Sequence, residues 1–233
     1  DYRESFRRFL EAEVVPHYPQ WERDHIVPKS LFTQCAEYGF LAMEVPEEFG
    51  GPGVDDWRFN VVLAEESVWA GVGPAIGGPL LHTDIVVPYI TSAANEEQKR
   101  RWLPAVASGE KVLAVAMTEP GAGSDLAAMR ARAVKDGKDY VINGSKTFIS
   151  NGILADLVIV AAKTDPAAGA RGVSLFVVER GTPGFERGKQ IPKVGLHAQD
   201  TAELFFENCR VPAGNLLGGE GNGFKCLMEK LQQ

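Results

Sequence analysis

From Tyr2 to about Ser108 the apolar residues recur at helical spacing, and after Gly109 the pattern turns to short apolar runs separated by turn residues. Phe6, Phe9, Leu10 and Val14 form a first stripe with Pro16 as its stop, and Leu31, Cys35 and Tyr38 form a second that ends at Gly39. Asp55 or Asp56 caps a third helix, whose buried face is expected to be Trp57, Val61, Ala64 and Val68. Asn95 followed by Glu96, Glu97 and Gln98 reads as another helix start, because a short polar side chain accepts from the unpaired first-turn amides and acidic neighbours favour the positive helix end. Pro104 is expected to terminate that helix.

The second half offers strands at Val112–Met117, Arg130–Val134, Tyr140–Ile142, Leu157–Ala162, Val173–Val178 and Ala202–Phe206. Asp136-Gly137, Asn143-Gly144 and Pro183-Gly184 are the expected turns. No stretch of helical length separates these strands, so a barrel or sandwich is favoured over a parallel sheet. Beyond the glycine-rich run Gly218–Gly223, helical spacing resumes with Phe224, Leu227, Met228 and Leu231. The expected architecture is therefore α+β: a helical bundle over residues 1–109, a β-barrel domain over 110–216, and the first turns of a further helical domain over 217–233. The apolar face of that last helix has almost no remaining chain to cover it, which reads as truncation ahead of another helical layer.

Composition narrows the function classes. A hydrophobic content of 45% over 233 residues is enough for a sizeable core. The balance of 24 basic against 31 acidic residues, net −7, argues against a nucleic-acid groove, and Lys99-Arg100-Arg101 reads as a solvated helix face. Cys35, Cys209 and Cys226 are odd in number and widely spaced, which suits a reducing compartment and no metal site. No run approaches the roughly 18 apolar residues that would span a bilayer.

Candidate chemistry gathers in two clusters. Met117-Thr118-Glu119-Pro120-Gly121-Ala122-Gly123-Ser124-Asp125 lacks the third glycine of a dinucleotide fingerprint and is followed by strand signals, so a Rossmann site is disfavoured. Its glycines instead let backbone amides approach a ligand, and Thr118 and Ser124 add hydroxyls. Phe148-Ile149-Ser150 contributes an aromatic ring and another hydroxyl, and a hairpin through Asn143-Gly144 is expected to bring it to the same rim. That combination suits a flat polar cofactor.

These residues also carry a resemblance. Ala116 through Asp125, then Asn143 through Gly152, then Lys193 through Glu207 resemble the acyl-CoA dehydrogenase family, closest to its long-chain type, and the likeness takes in Glu47–Gly51 and Asn95–Gln98. The resemblance implies a helical domain, a middle β-barrel and a C-terminal helical domain in a homotetramer, with FAD as cofactor. It implies flavin contacts at Val115, Ala116, Met117, Thr118, Glu119, Pro120, Gly121, Ala122, Gly123 and Ser124 and at Phe148, Ile149 and Ser150, with Phe148 against the ring. It implies fatty acyl-CoA contacts at Ser124, Ala170, Arg171, Lys225, Gln232 and Gln233, although relatives often carry tyrosine where Lys225 stands. Electron-transferring flavoprotein would accept the electrons, in the bacterial cytoplasm or the mitochondrial matrix.

The resemblance places the proton-abstracting glutamate directly after Leu231-Gln232-Gln233, so no residue here is assigned as catalytic and the chain alone is expected to be inactive. Glu119 is expected to be structural. Two other readings stay open: an acyl-CoA oxidase or related flavin monooxygenase, and a non-catalytic binding or assembly subunit. His82 reads as a hydrogen-bonded helix histidine or as part of the acyl-CoA entrance. Trp57, Trp69, Trp102 and Phe40 read as core or interface residues. Arg187, Lys189 and Lys193 read as a solvated barrel edge or as contacts to CoA phosphates.

Overall fold

The computed structural model describes residues 1–230, so Leu231 and the substrate-contact candidates Gln232 and Gln233 lie outside the described residues. Helix α1 (Tyr2–Phe9) starts at Asp1, whose carboxylate accepts the Arg3 N–H, and runs on through a wider turn, Leu10–Val14, ahead of Pro16. Helices α2 (Tyr18–Asp24) and α3 (Ser30–Glu37) follow. Phe6, Phe9, Leu10, Val14, Leu31 and Cys35 are buried as their spacing predicts, whereas Tyr38 is exposed.

Helix α4 (Arg58–Trp69) turns the opposite way from its expected face. Trp57, Val61 and Val68 are 52%, 41% and 73% exposed, while Asn60, Leu63, Glu66 and Ser67 point inward. Trp69 is exposed as well, so neither tryptophan belongs to the core. Partners for the polar groups decide the orientation: Arg3 and Arg7 of α1 reach Glu66 at 2.7 and 2.8 Å, and Asn60 donates to Asp84 at 2.6 Å.

Helices α5 (Gly73–Leu80) and α6 (Val87–Ala93) are joined through a widened turn, Leu81–Val86, across which the Val87 N–H reaches back to His82 O. Helix α7 (Glu96–Ala107) carries a reciprocal cap between Asn95 and Gln98, as expected. It runs past Pro104 instead of stopping there. Pro104 and Arg100 are both exposed, so the Arg100 carbonyl that loses its donor can turn to water, and burial of Trp102, Leu103 and Val106 on the other face offsets the lost bond.

Eight strands form one curled sheet: β1 (Leu113–Ala116), β2 (Arg132–Asp136), β3 (Asp139–Ser150), β4 (Leu157–Lys163), β5 (Val173–Glu179), β6 (Phe185–Gln190), β7 (Thr201–Pro212) and β8 (Leu216–Leu217). The order is β6-β7-β3-β2-β4-β5-β8, with β1 beside β4. Two of the pairings are parallel, β1 with β4 along its length and β2 with β4 at Arg132 and Lys163. The antiparallel turn falls at Gly137, where Asp136 faces Asp139, and Asn143-Gly144 is no turn at all. It lies inside the long strand β3 opposite a bulge of β7, where Glu207 and Asn208 together face Asn143, with Gly144 at φ 148° and the Ala131 side chain packed where a Cβ would stand.

The sheet encloses one core and offers a second face to the helices. Val158, Val160, Phe176, Val178, Ile142, Leu204 and Phe206 meet inside the curl, beside the small residues Ala114, Ala116 and Ala133. The alternate residues Leu157, Ile159, Ala161, Val173, Leu175 and Val177 join the helical core around Trp102, Phe32 and Ile76. Strands buried on both sides read as unbroken apolar runs, which is why β4 and β5 are plain in the sequence. Helix α8 (Gly223–Lys230) lies across β5, its Gly223 pressed against Ser174 and its Leu227 in the helical core. Among the described residues no helix is long and apolar enough to cross a membrane, and no group of three His, Cys, Asp or Glu could hold a metal.

His82 ties the two halves together from a fully buried position. The Leu113 N–H donates to its Nδ1 at 3.1 Å, which leaves Nε2–H to donate to Val106 O, also at 3.1 Å. Burial pushes the imidazole pKa down to about 4, so the neutral ring is the native form. Above pH ~6.5, the ordinary histidine value, this stabilisation is complete, and it is lost as pH falls toward 4 because the unfolded chain takes up the proton first. Chemical denaturation from pH 7 to 4.5 should show stability falling, by up to about 3 kcal/mol from this group, with a shallower fall in His82→Gln. Identical pH slopes in the two proteins would contradict this assignment.

Candidate functional site

The first motif leaves β1 at Met117 and folds into a tight turn. Glu119 N–H donates to Ala122 O and Ala122 N–H to Glu119 O, both at 3.0 Å, which loops Pro120 and Gly121 outward. The Glu119 side chain turns inward, only 7% exposed. It accepts from the amides of Arg130 at 2.6 Å and Ala131 at 3.0 Å and from Lys146 Nζ at 2.9 Å. Lys146 has no exposed surface and gives a second hydrogen bond to Met117 O at 3.0 Å. Burial pushes the Glu119 pKa upward, but the Lys146 hydrogen bond and charge and the two amides outweigh it, holding the carboxyl below its ordinary value. Burial dominates at Lys146, whose pKa is lowered although Glu119 works against the shift. With its oxygens taken by three donors, Glu119 is a structural residue, as the sequence suggested.

The second motif meets the first at this point. The β3–β7 ladder is interrupted between Lys146 and Ile149, and the Thr147 N–H turns to Thr118 O at 2.9 Å. Within the interruption Phe148 takes φ 58°, a disfavoured conformation for a residue with a side chain, and its ring stands 65% exposed. The clusters at 115–124 and 148–150 therefore share one rim, brought together by a bulge in β3 and not by the expected hairpin through Asn143-Gly144.

Not every candidate presents its side chain there. Ala116, Ala122 and Ile149 are buried in the protein. Val115, Met117, Thr118 and Ser150 are half-buried, while Pro120, Gly121, Gly123, Ser124 and Phe148 are exposed. A Cβ added at Gly121 or Gly123 would meet nothing within 4 Å, so nothing in the described chain requires glycine at either position. The open space beside both leaves the backbone free for a ligand's close approach.

A second surface lies close by. Ala170, Arg171 and Lys225 line one groove of about 510 Å³ together with Glu220, Gly221, Asn222 and Phe224. The glycine-rich segment forms part of this groove, held by Gly221 N–H to Ser174 Oγ at 2.9 Å and Tyr140 OH to Glu220 at 2.7 Å. Ser124 leads into the short turn Leu126–Ala128, which packs on the turn Pro166–Gly172 that carries Ala170 and Arg171.

Other candidates have structural work instead. Lys193 donates to Gln199 O and, at 3.1 Å, to Thr201 Oγ1. Arg187 donates to Gly152 O at 3.0 Å and Ala155 O at 2.8 Å, and burial pushes its pKa down to about 10. Both secure loops at the sheet end, so neither is the solvated edge nor the phosphate contact the sequence suggested. His82 is hydrogen-bonded at both ring nitrogens and lines no entrance. Sequence reading passed over Lys146 and Asn151, because a buried lysine in a strand announces itself only through its distant counter-charge, here Glu119.

Residues 1–110 match the acyl-CoA dehydrogenase N-terminal domain and residues 114–209 the acyl-CoA dehydrogenase middle domain. The mitochondrial long-chain specific acyl-CoA dehydrogenase of Sus scrofa is 46% identical over 100% of this chain and 54% of its own length. The crystal structure of an acyl-CoA dehydrogenase from Geobacillus kaustophilus superposes with a TM-score of 0.95 at 56% identity, covering 100% of this chain and 61% of that one. A glutaryl-CoA dehydrogenase from Mycobacterium smegmatis, solved in complex with FADH2, superposes with a TM-score of 0.87 at 30% identity over 100% of this chain and 58% of that one. The chain thus spans about half the length of the curated relatives it matches. With two domain matches in order and this structural agreement along its whole length, the chain belongs to the acyl-CoA dehydrogenase family.

Proposed function

We propose that this chain supplies the flavin-facing and CoA-facing surfaces of an FAD-dependent dehydrogenase that converts fatty acyl-CoA thioesters to their trans-2-enoyl forms. The observation that carries the reading is the Thr147 N–H to Thr118 O bond, which brings both motifs to one rim with the Phe148 ring outward. The rim fits a flavin: an exposed aromatic ring, half-buried or exposed hydroxyls at Thr118, Ser124 and Ser150, and open backbone at Gly121 and Gly123. On this reading residues 1–109 form the helical unit and 110–216 the flavin-binding unit.

When bound, FAD supplies the hydride-accepting centre for oxidation at the thioester's α and β carbons. Phe148 would lie against the ring and keep water from that face, while Thr118 and Ser150 would hold the ring edge in place. Arg171 and Lys225 offer positive charge to CoA phosphates within a chain whose net charge is −7. Lys225 is paired only loosely with Glu229, at 3.7 Å on an exposed helix turn, so its charge is available to a ligand. Glu119 is not the proton-abstracting base, and that role is assigned to no residue of this chain. Electron-transferring flavoprotein as acceptor and a homotetrameric assembly belong to the same reading.

Titration of the intact protein with FAD, followed by visible absorption and flavin fluorescence, should show saturable uptake; no spectral change at any ratio would overturn the proposal. Phe148→Gly should weaken FAD binding about 10-fold while leaving the unfolding free energy within about 1 kcal/mol, since it relieves a positive φ and removes no buried contact. A loss of several kcal/mol would instead make Phe148 a packing residue. Arg171→Ala and Lys225→Ala should each raise the Kd for acyl-CoA, read by direct binding titration, roughly 3- to 10-fold at low salt, with the difference shrinking at high salt. A salt-independent effect would remove the charges from the CoA site.

A further inference from the structure

The segment Phe148–Ser150 is bracketed by two buried side chains that both reach strand β1. Lys146 donates from Nζ to Met117 O, just past the C-terminal end of β1, at 3.0 Å. Asn151, 1% exposed, donates from Nδ2 to Leu113 O, at the N-terminal start of β1, and to Gly78 O in α5, both at 3.1 Å. Both β1 acceptors are main-chain carbonyls of one continuous stretch, so the distance between the anchor points is set by the strand itself, four residues or about 13 Å. On its outer side Asn151 is held in turn by its own N–H to Asp200 O at 3.1 Å.

Within the segment Ile149 is buried in the sheet core and pairs with Ala202, and Ser150 pairs with Thr201, so the part that lacks ladder support is Thr147–Phe148. Its ladder with β7 is interrupted between Lys146 and Ile149. Phe148 and Asn151 stand at φ 58° and 59°, conformations that persist in residues with side chains only where the surroundings over-determine them. Here the surroundings are the two anchors, the buried Ile149 side chain with its pairing to Ala202, and the Thr147 N–H to Thr118 O bond. A buried lysine and a buried asparagine are costly choices for simple filling, because each brings donors that must all be met.

We infer that Lys146 and Asn151 are positioning residues, a two-point clamp that holds Phe148–Ser150 against β1 in its ligand-receiving geometry before any flavin binds. The inference rests on the proposed flavin site but concerns the protein without it. Glu119 belongs to the clamp, since it keeps the Lys146 ammonium charged and aimed at the end of β1. Because α5 shares the Asn151 amide through Gly78 O, the helical half also sets the flavin-facing rim.

Two variants of the intact protein separate the clamp from general stability. Asn151→Gly removes the amide donors yet accepts the positive φ, and the double variant Glu119→Gln with Lys146→Met removes both charges so that neither is left buried alone. Amide hydrogen exchange without FAD should speed up roughly 10-fold or more at Thr147 and Phe148 in each variant, while amides of β4 and β5 keep their protection. FAD affinity should fall about 10- to 100-fold, and the bound flavin's visible band should lose its resolved shoulders. Unchanged exchange at Thr147 together with unchanged FAD affinity would overturn the clamp, as would a uniform rise in exchange across the whole sheet. If the unsubstituted protein takes up no FAD, the functional reading fails on that result, and exchange at Thr147 decides the clamp by itself.

Discussion

Glu119 stands where three segments of chain would otherwise drift apart: the turn after β1, the approach to β2 at Arg130 and Ala131, and the middle of β3 at Lys146. A buried ion pair adds little net stability over apolar packing, yet removing one partner costs ~3–5 kcal/mol because the other is left charged in the interior. Such a pair tolerates no alternative register. With Lys146 fixed on Glu119 and Met117 O, β3 must bulge, the Thr147 amide must seek Thr118, and Phe148 must face outward. The geometry of the rim thus follows from satisfying one carboxylate.

The helical half is coupled to that rim through polar groups at the seam. His82 bridges the end of α7 and the start of β1, and Asn151 bridges α5 and β1. Both are buried, and both use side-chain groups to satisfy main-chain atoms at the start of β1, the Leu113 amide and carbonyl respectively. The apolar layer made by alternate residues of β4 and β5 supplies the bulk of the contact between the halves. The hydrogen bonds supply its register. The strand that opens the first motif is consequently seated by both halves, and its exit toward Met117 and Thr118 is set before the turn begins.

The sequence made some of this plain and hid the rest for identifiable reasons. The buried runs of β4 and β5, the Asn95 cap and the motif loops declare themselves through local pattern. Helix α4 does not, since Trp57, Val61, Ala64 and Val68 have the same spacing as an inward face, and only the distant Arg3 and Arg7 pull Glu66 inside. Strand β6, Phe185–Gln190, is too charged to read as a strand and exists as an edge paired to β7. Asn143-Gly144 has turn chemistry but runs on within β3 opposite a bulge of β7, with Ala131 packed where a Gly144 side chain would stand. Of the candidate site, the rim residues were legible from the motifs, whereas Lys146 and Asn151, which hold the rim, depend on partners 27 or more positions away.

On the proposed function the turn after β1 and the bulge of β3 make one receptive surface for an isoalloxazine ring. A crystal structure of the protein grown with FAD tests it most directly. The ring is expected against Phe148, with main-chain or hydroxyl contacts from both the Thr118–Ser124 segment and Ser150, and with the Thr147 to Thr118 bond intact. A flavin seated elsewhere, or one touching a single segment while the other moves away, would contradict it.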